Sequence, residues 1–192
     1  ILENAPIDEG HYDIYCEIAD GDWYYGKTKE YIGSFAIYRF DESEWQSLGV
    51  LYAELQQMNV PLSWNMAGGI KCVGSFEGLS IEKGHVLGVS FANKGMTGLF
   101  PSSLMAFTQL KNIDISNNNL TGDITTAIAA IKMQNPNAFN SLKTLDISNN
   151  QLKGNIGVLA KCMSNLTSLN ASNNKFEDLF PALPSSITNL DI

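Results

Sequence analysis

The sequence predicts an α/β solenoid, a coil of short parallel strands stacked side by side, and two observations carry that expectation. The first is an Asn-rich tract that returns three times, as Ser116-Asn117-Asn118-Asn119, Ser148-Asn149-Asn150 and Ser172-Asn173-Asn174. The second is the apolar spacing ahead of each tract: Leu110, Ile113, Ile115; then Leu142, Leu145, Ile147; then Leu166, Leu169, Ala171. Self-similarity at such a period marks stacked units, none of which buries its apolar side alone.

Aligning on the tracts fixes a frame. One unit reads Leu110, Ile113, Ile115, Asn118, Leu120, Gly122, Ile124, and the next reads Leu142, Leu145, Ile147, Asn150, Leu152, Gly154, Ile156. The third continues through Asn174, Phe176 and Phe180, with Asp178 where Gly stood. An earlier unit reads Val86, Val89, Phe91, Met96, Gly98, Phe100, with Lys94 in place of the Asn, and a fifth begins Ile187, Leu190, Ile192. Units therefore start at 86, 110, 142, 166 and 187. Alternate side chains of a strand point to opposite faces, so Ile113, Ile115, Leu145 and Ile147 turn inward while Asp114 and Asp146 turn out. Each fully buried Leu or Ile contributes roughly 1.5–3 kcal/mol, enough to drive stacking.

The recurring Asn residues, Asn118, Asn150 and Asn174, sit where the chain leaves each strand. A carboxamide both donates and accepts, so stacked copies are expected to be buried and to satisfy backbone groups that the turn leaves unpaired. Phe107, Phe139 and Met163 each precede the next unit's first apolar residue by three and read as outer-arc core. The longest unit carries Thr126–Gln134, which reads as a helix ended by Asn135-Pro136 and bulging from the convex side.

This spacing resembles the leucine-rich-repeat family. The Leu120-Thr121-Gly122-Asp123-Ile124 continuation is similar to the plant-type variant, and Phe180–Ile187 to the shorter bacterial type. The resemblance covers residues 86–192 and implies a right-handed arc with a parallel concave sheet. It also implies a non-enzymatic binding module whose partner is a protein. The concave residues expected to meet it are Asn112, Asp114, Thr144, Asp146, Ser168 and Asn170. The mixture of repeat types implies an exported bacterial protein, extracellular or at the cell surface. The regular steps lead to the expectation that further repeats follow Ile192, with end-to-end pairing through residues 179–192 as the alternative.

A repeat array needs a cap at its open end. Residues 43–58 are predicted to be a helix, with Ser43 and Gln46 as a capping box, Trp45, Leu48, Tyr52 and Leu55 on one face, and Asn59 and Pro61 after it. Residues 76–81 read as a strand turned by Glu82-Lys83-Gly84 into His85-Val86. Helix, Trp64 loop and hairpin resemble the plant-type N-terminal cap, although Phe76 stands where that family has Trp and the paired cap cysteines are missing. Three parts follow: an acidic, aromatic-rich region 1–40, a cap 41–85 and the repeats 86–192.

The first part holds six of the seven tyrosines, and Tyr12–Ile18 and Ser34–Phe40 are candidate strands. Its turn-rich segment presents Trp23, Tyr24 and Tyr25. Exposed aromatics there would make a glycan-stacking or protein-docking patch, and buried ones would pack on the cap helix. The glycan patch is the alternative function.

Charge narrows the classes further. The net charge is −8. Residues 1–45 carry eleven acids against three bases, and residues 46–192 carry nine acids against nine lysines, so the acidity belongs to the N-terminal region alone. Nucleic-acid binding needs a basic face, and the sequence has none. No apolar run approaches the ~18–20 residues that span a bilayer. Catalytic signatures are absent, and no cofactor is expected. Asp114 and Asp146, one strand apart, suggest a carboxylate pair or a calcium site, but they lack the six to eight oxygens that calcium prefers, so no metal is expected. Three Asn-x-Ser/Thr patterns, at Asn119, Asn165 and Asn170, arise readily from Asn-rich repeats. Cys16, Cys72 and Cys162 are odd in number; a Cys16–Cys72 bridge and three unbridged thiols are both open.

Overall fold

The computed structural model describes residues 10–17, 29–40, 42–64, 66, 71–74, 76–176 and 183–192. Near the N-terminus, β1 (Gly10–Glu17) and β2 (Lys29–Arg39) pair antiparallel, and β3 (Lys71–Gly74) pairs with the other edge of β2. The register sets Cys16 opposite Glu30 and Cys72 opposite Tyr38. The two cysteines therefore lie on opposite sides of β2 and eight residues apart along it. At ~3.3 Å per residue this is roughly 26 Å, far beyond the ~7 Å Cα limit for a disulfide. The bridge left open by the sequence is ruled out by this register.

The cap helix α1 spans Glu42–Gln57 and buries Glu44, Leu48, Leu51 and Leu55. Trp45 and Tyr52 lie half-buried against the same core. It opens at Glu42, so Ser43 falls inside the first turn instead of capping it, and Gln46 Nε2 donates to Glu42 Oε1 at 3.0 Å. Around it Phe40, Trp45, Trp64 and Phe76 pack edge-on and tilted, and Tyr52 stacks on Trp64 with ring centres 5.4 Å apart. Trp64 Nε1 donates to the Glu77 carbonyl, so its one polar atom is satisfied inside the cluster.

A hairpin joins the cap to the repeats. β4 (Leu79–Glu82) turns through Lys83 and Gly84, both at positive φ, into β5 (His85–Ser90). Two successive left-handed residues match the twist of paired strands, which is why Gly stands second. β7 (Asn112–Asp114), β9 (Thr144–Asp146), β11 (Ser168–Asn170) and β12 (Asn189–Asp191) follow in parallel, giving the six-stranded order β12-β11-β9-β7-β5-β4. A second sheet stacks β6 (Thr97–Gly98), β8 (Asn119–Asp123) and β10 (Gln151–Lys153).

Between the sheets the frame residues form columns. Val86, Leu110, Leu142 and Leu166 are fully enclosed, and so are Met96, Leu120 and Leu152. Phe107, Phe139 and Met163 close the outer arc as expected. The predicted insertion helix is α2 (Ile124–Gln134); it starts two residues early because Asp123 is its N-cap, accepting the Thr126 N–H at 3.0 Å. One unit later Asn155 does the same for α3 (Ile156–Lys161), accepting from Val158. This second helix has no counterpart in the sequence reading, since six residues hold too little periodicity to see.

The cap is attached to the first repeat by polar contacts as well as by packing. Glu54 of α1 accepts from the N–H and hydroxyl of both Ser102 and Ser103, at the start of the 3₁₀ turn Ser102–Ala106. Glu44 Oε1 accepts the Val86 N–H at 2.8 Å, and its Oε2 lies 3.8 Å from His85 Nδ1. Val86 precedes Gly88, where pairing with β7 begins, so a buried carboxylate serves a strand N–H that lies outside the β5–β7 ladder.

Candidate concave binding face

Parallel register brings the expected concave residues together. Gly88, Asn112, Thr144, Ser168 and Asn189 form one row across the sheet, and Ser90, Asp114, Asp146, Asn170 and Asp191 form a second. Val89, Ile113, Leu145, Leu169 and Leu190 lie between them in register, and Val89, Ile113, Leu145 and Leu169 are buried. This is the alternation of a strand with one face in the core. Asn112 is exposed, and Asp114, Thr144, Asp146, Ser168 and Asn170 are half-buried. Neither row contains an aromatic residue.

Much of this face is engaged internally. Asp114 Oδ1 accepts from the N–H and hydroxyl of Ser116, at 3.1 and 2.8 Å. Asp146 does the same for Ser148, and Asn170 for Ser172. Each is an Asx turn, a side chain bonding its own backbone two residues on, and it starts the bend out of the strand. Asn170 Nδ2 then donates to Asp146 Oδ2 at 3.1 Å, and Thr144 Oγ1 to Asn112 Oδ1 at 2.6 Å. The carboxylate column thus has a structural task that the sequence reading missed. The Asp-x-Ser spacing was the signal for it. Among the described residues no three His, Cys, Asp or Glu side chains converge as metal ligands would.

The Asn turn beside the face is a chain of carboxamides. Asn118 Oδ1 accepts from the N–H groups of Lys94 and Met96, and its Nδ2 reaches the carbonyls of Phe91, Ile115 and Ser116. Asn150 accepts from Leu120 and donates to Ile115, Ile147 and Ser148. Asn174 accepts from Leu152 and donates to Ile147, Ala171 and Ser172. Asn150 is buried, and Asn118 and Asn174 are half-buried. Every carboxamide reaches back to the unit before it. The unit at 86 has no preceding repeat turn to serve, which explains why Lys94 can stand there. The preceding Asn of each tract, Asn117, Asn149 and Asn173, takes the left-handed conformation at φ near 54°. Asn tolerates that region better than other residues with a Cβ.

The alternative patch, Trp23, Tyr24 and Tyr25, lies outside the described residues. Of the three Asn-x-Ser/Thr positions, Asn119 and Asn165 are exposed, and Asn170 is half-buried with both amide atoms engaged.

Short register-matched parallel strands, an Asn-lined turn and a polar concave face define a leucine-rich-repeat solenoid. Comparison with known proteins agrees: residues 109–131 match the family description Leucine Rich Repeat, and residues 140–191 match Leucine Rich repeats (2 copies). The chain is a leucine-rich-repeat protein. Among solved structures it is similar to the BIR2 ectodomain from Arabidopsis thaliana, with 29% identity over 72% of this chain and 70% of that one, at a TM-score of 0.54. It also shares its fold with Pollen Receptor Kinase 3, at 21% identity, 73% and 77% coverage and a TM-score of 0.51. The structure described as PEPR1-AtPEP1 matches at 18% identity and a TM-score of 0.51, over 73% of this chain and 19% of that one. No helix among the described residues is long and apolar enough to cross a membrane.

Proposed function

We propose that the chain is a protein-interaction module that holds its partner on the concave sheet, with Asn112, Asp114, Thr144, Asp146, Ser168 and Asn170 as the contact residues. The observation that carries this reading is the pair of register-matched polar rows on β7, β9 and β11. Backbone ladders and Asx turns hold them rigidly, so little side-chain freedom is lost when a partner docks. Small hydroxyl and amide groups suit hydrogen bonding to a polypeptide, and the repeats belong to a class built for binding. The resemblance to an ectodomain supports an extracellular or cell-surface position. Export from a bacterium rests on the short final unit in the sequence alone.

Crosslinking mass spectrometry on native cells identifies the partner. The same experiment with Thr144→Arg/Ser168→Arg tests the face. Loss of the crosslinked partner in a variant that melts as the wild type does is expected. Retention of the partner at wild-type yield refutes the concave reading.

A further inference from the structure

We infer that the concave face, taken as the binding surface proposed above, has an anion-binding edge formed by Lys111 and Lys143, and that it receives an acidic, extended segment of the partner protein. The two lysines immediately precede β7 and β9 at matching register positions: the Lys143 and Thr144 N–H groups both donate to the Lys111 carbonyl, at 2.7 and 3.1 Å. Their Cα atoms are thus about one strand spacing apart, ~4.8 Å. Both side chains are exposed. The ion pairs found among the described residues are Lys94 with Glu77 and His85 with Glu44, and neither involves these lysines. Like charges at facing positions of neighbouring strands are destabilising, so the pair opposes folding unless something else compensates it.

The nearest regular acids do not compensate it. Asp114 and Asp146 lie three residues further along each strand, roughly 10 Å away, and their Oδ1 atoms are held by Ser116 and Ser148. Asp114 and Asp146 therefore have an internal reason to be side by side, and the lysines have none. The positions that continue the lysine row, Thr167 and Thr188, are uncharged; each hydroxyl donates to the backbone carbonyl at the same position of the preceding unit, Lys143 and Thr167. The positive charge is confined to the units at 110 and 142. Next to it runs the row Asn112, Thr144 and Ser168, whose hydroxyl and amide groups suit a polypeptide backbone. Charge complementarity then selects a segment with carboxylates two residues apart, the spacing that puts both on one side of an extended chain.

The test uses the full chain and fluorescence anisotropy with a labelled, end-capped peptide alternating Glu and Ser, its Gln/Ser counterpart, and a sulfated oligosaccharide. Each variant is first shown to melt as the wild type does. The Glu peptide is expected to bind, more weakly as salt rises. Binding is expected to fall roughly tenfold in Lys111→Gln/Lys143→Gln, as two exposed pairs would allow, and to be lost in Thr144→Trp. Equal binding of the Glu and Gln peptides, or wild-type binding by the double lysine variant, overturns the anion edge. If Thr144→Trp still abolishes binding in that case, the concave reading stands. Wild-type binding by Thr144→Trp overturns the concave reading and this proposal with it. Preference for the sulfated oligosaccharide over the Glu peptide, or no binding of the Glu peptide at all, overturns the acidic-segment assignment.

Discussion

Asn150→Ala removes the most enclosed carboxamide of the turn, and its effect can be worked out bond by bond. Asn150 is 8% exposed. Its Nδ2 serves three carbonyls, and each of them keeps another donor: Ile115 keeps the Asn118 amide, Ile147 keeps the Asn174 amide, and Ser148 keeps the Asn117 N–H. The decisive loss is on the other side. Asn150 Oδ1 accepts the Leu120 N–H at 2.9 Å, and Leu120 is fully enclosed, so water cannot replace the lost acceptor without opening the turn. A buried donor left unsatisfied costs about 1–3 kcal/mol. With the weakened carbonyl contacts added, about 2–3 kcal/mol is expected, or roughly 4–12 °C in Tm for a chain of this size. Urea unfolding measures the total. Hydrogen exchange at the Leu120 amide locates it, which matters because repeat arrays open locally. A loss below about 0.5 kcal/mol with Leu120 as protected as in the wild type would refute the reasoning.

Three further predictions follow from single contacts. Glu44→Ala leaves the Val86 N–H buried without its carboxylate and should destabilise by about 2 kcal/mol; exchange protection lost first at the β4–β5 hairpin is the expected readout, and unchanged protection there counts against Glu44 as a strand-end acceptor. Gly154 has φ 126°, and an added Cβ would fall 2.7 Å from Asp123 Oδ1 and against Thr125. Gly154→Ala should therefore lower stability by about 2 kcal/mol or more, measured by urea unfolding, and a neutral result would contradict that packing. Thiol titration in denaturant without reductant should find three free cysteines, because the β1–β2–β3 register separates Cys16 from Cys72 and Cys162 is unbridged; one free thiol, with Cys16 and Cys72 joined in the peptide map, would mean that this register is wrong.

How much of the molecule was legible in advance depended on the range of the interaction. The columns Leu110–Leu142–Leu166 and Ile113–Leu145–Leu169 were readable because side-chain direction in a strand follows from sequence spacing alone. The same rule placed Asp114 and Asp146 outward and side by side. The cap helix was readable from Leu48, Tyr52 and Leu55, but not its buried Glu44, because a carboxylate among apolar residues makes sense only once the Val86 N–H is seen beside it. Asp123 and Asn155 as helix caps, and Asp114, Asp146 and Asn170 as turn anchors, are local patterns that coincide with positions of the repeat, so the repeat spacing masks them.

The sequence by itself determined the solenoid, its frame and the polarity of its concave face, because a periodic core specifies its own stacking. Tertiary structure decided everything that joins residues of different periods. Glu54 reaches Ser102 and Ser103 across the cap, each carboxamide reaches back one unit, and the β2 register parts Cys16 from Cys72. The physical reason is the same in each case. These partners are chosen by which atoms remain unpaired after the strands have stacked, and no spacing along the chain records that.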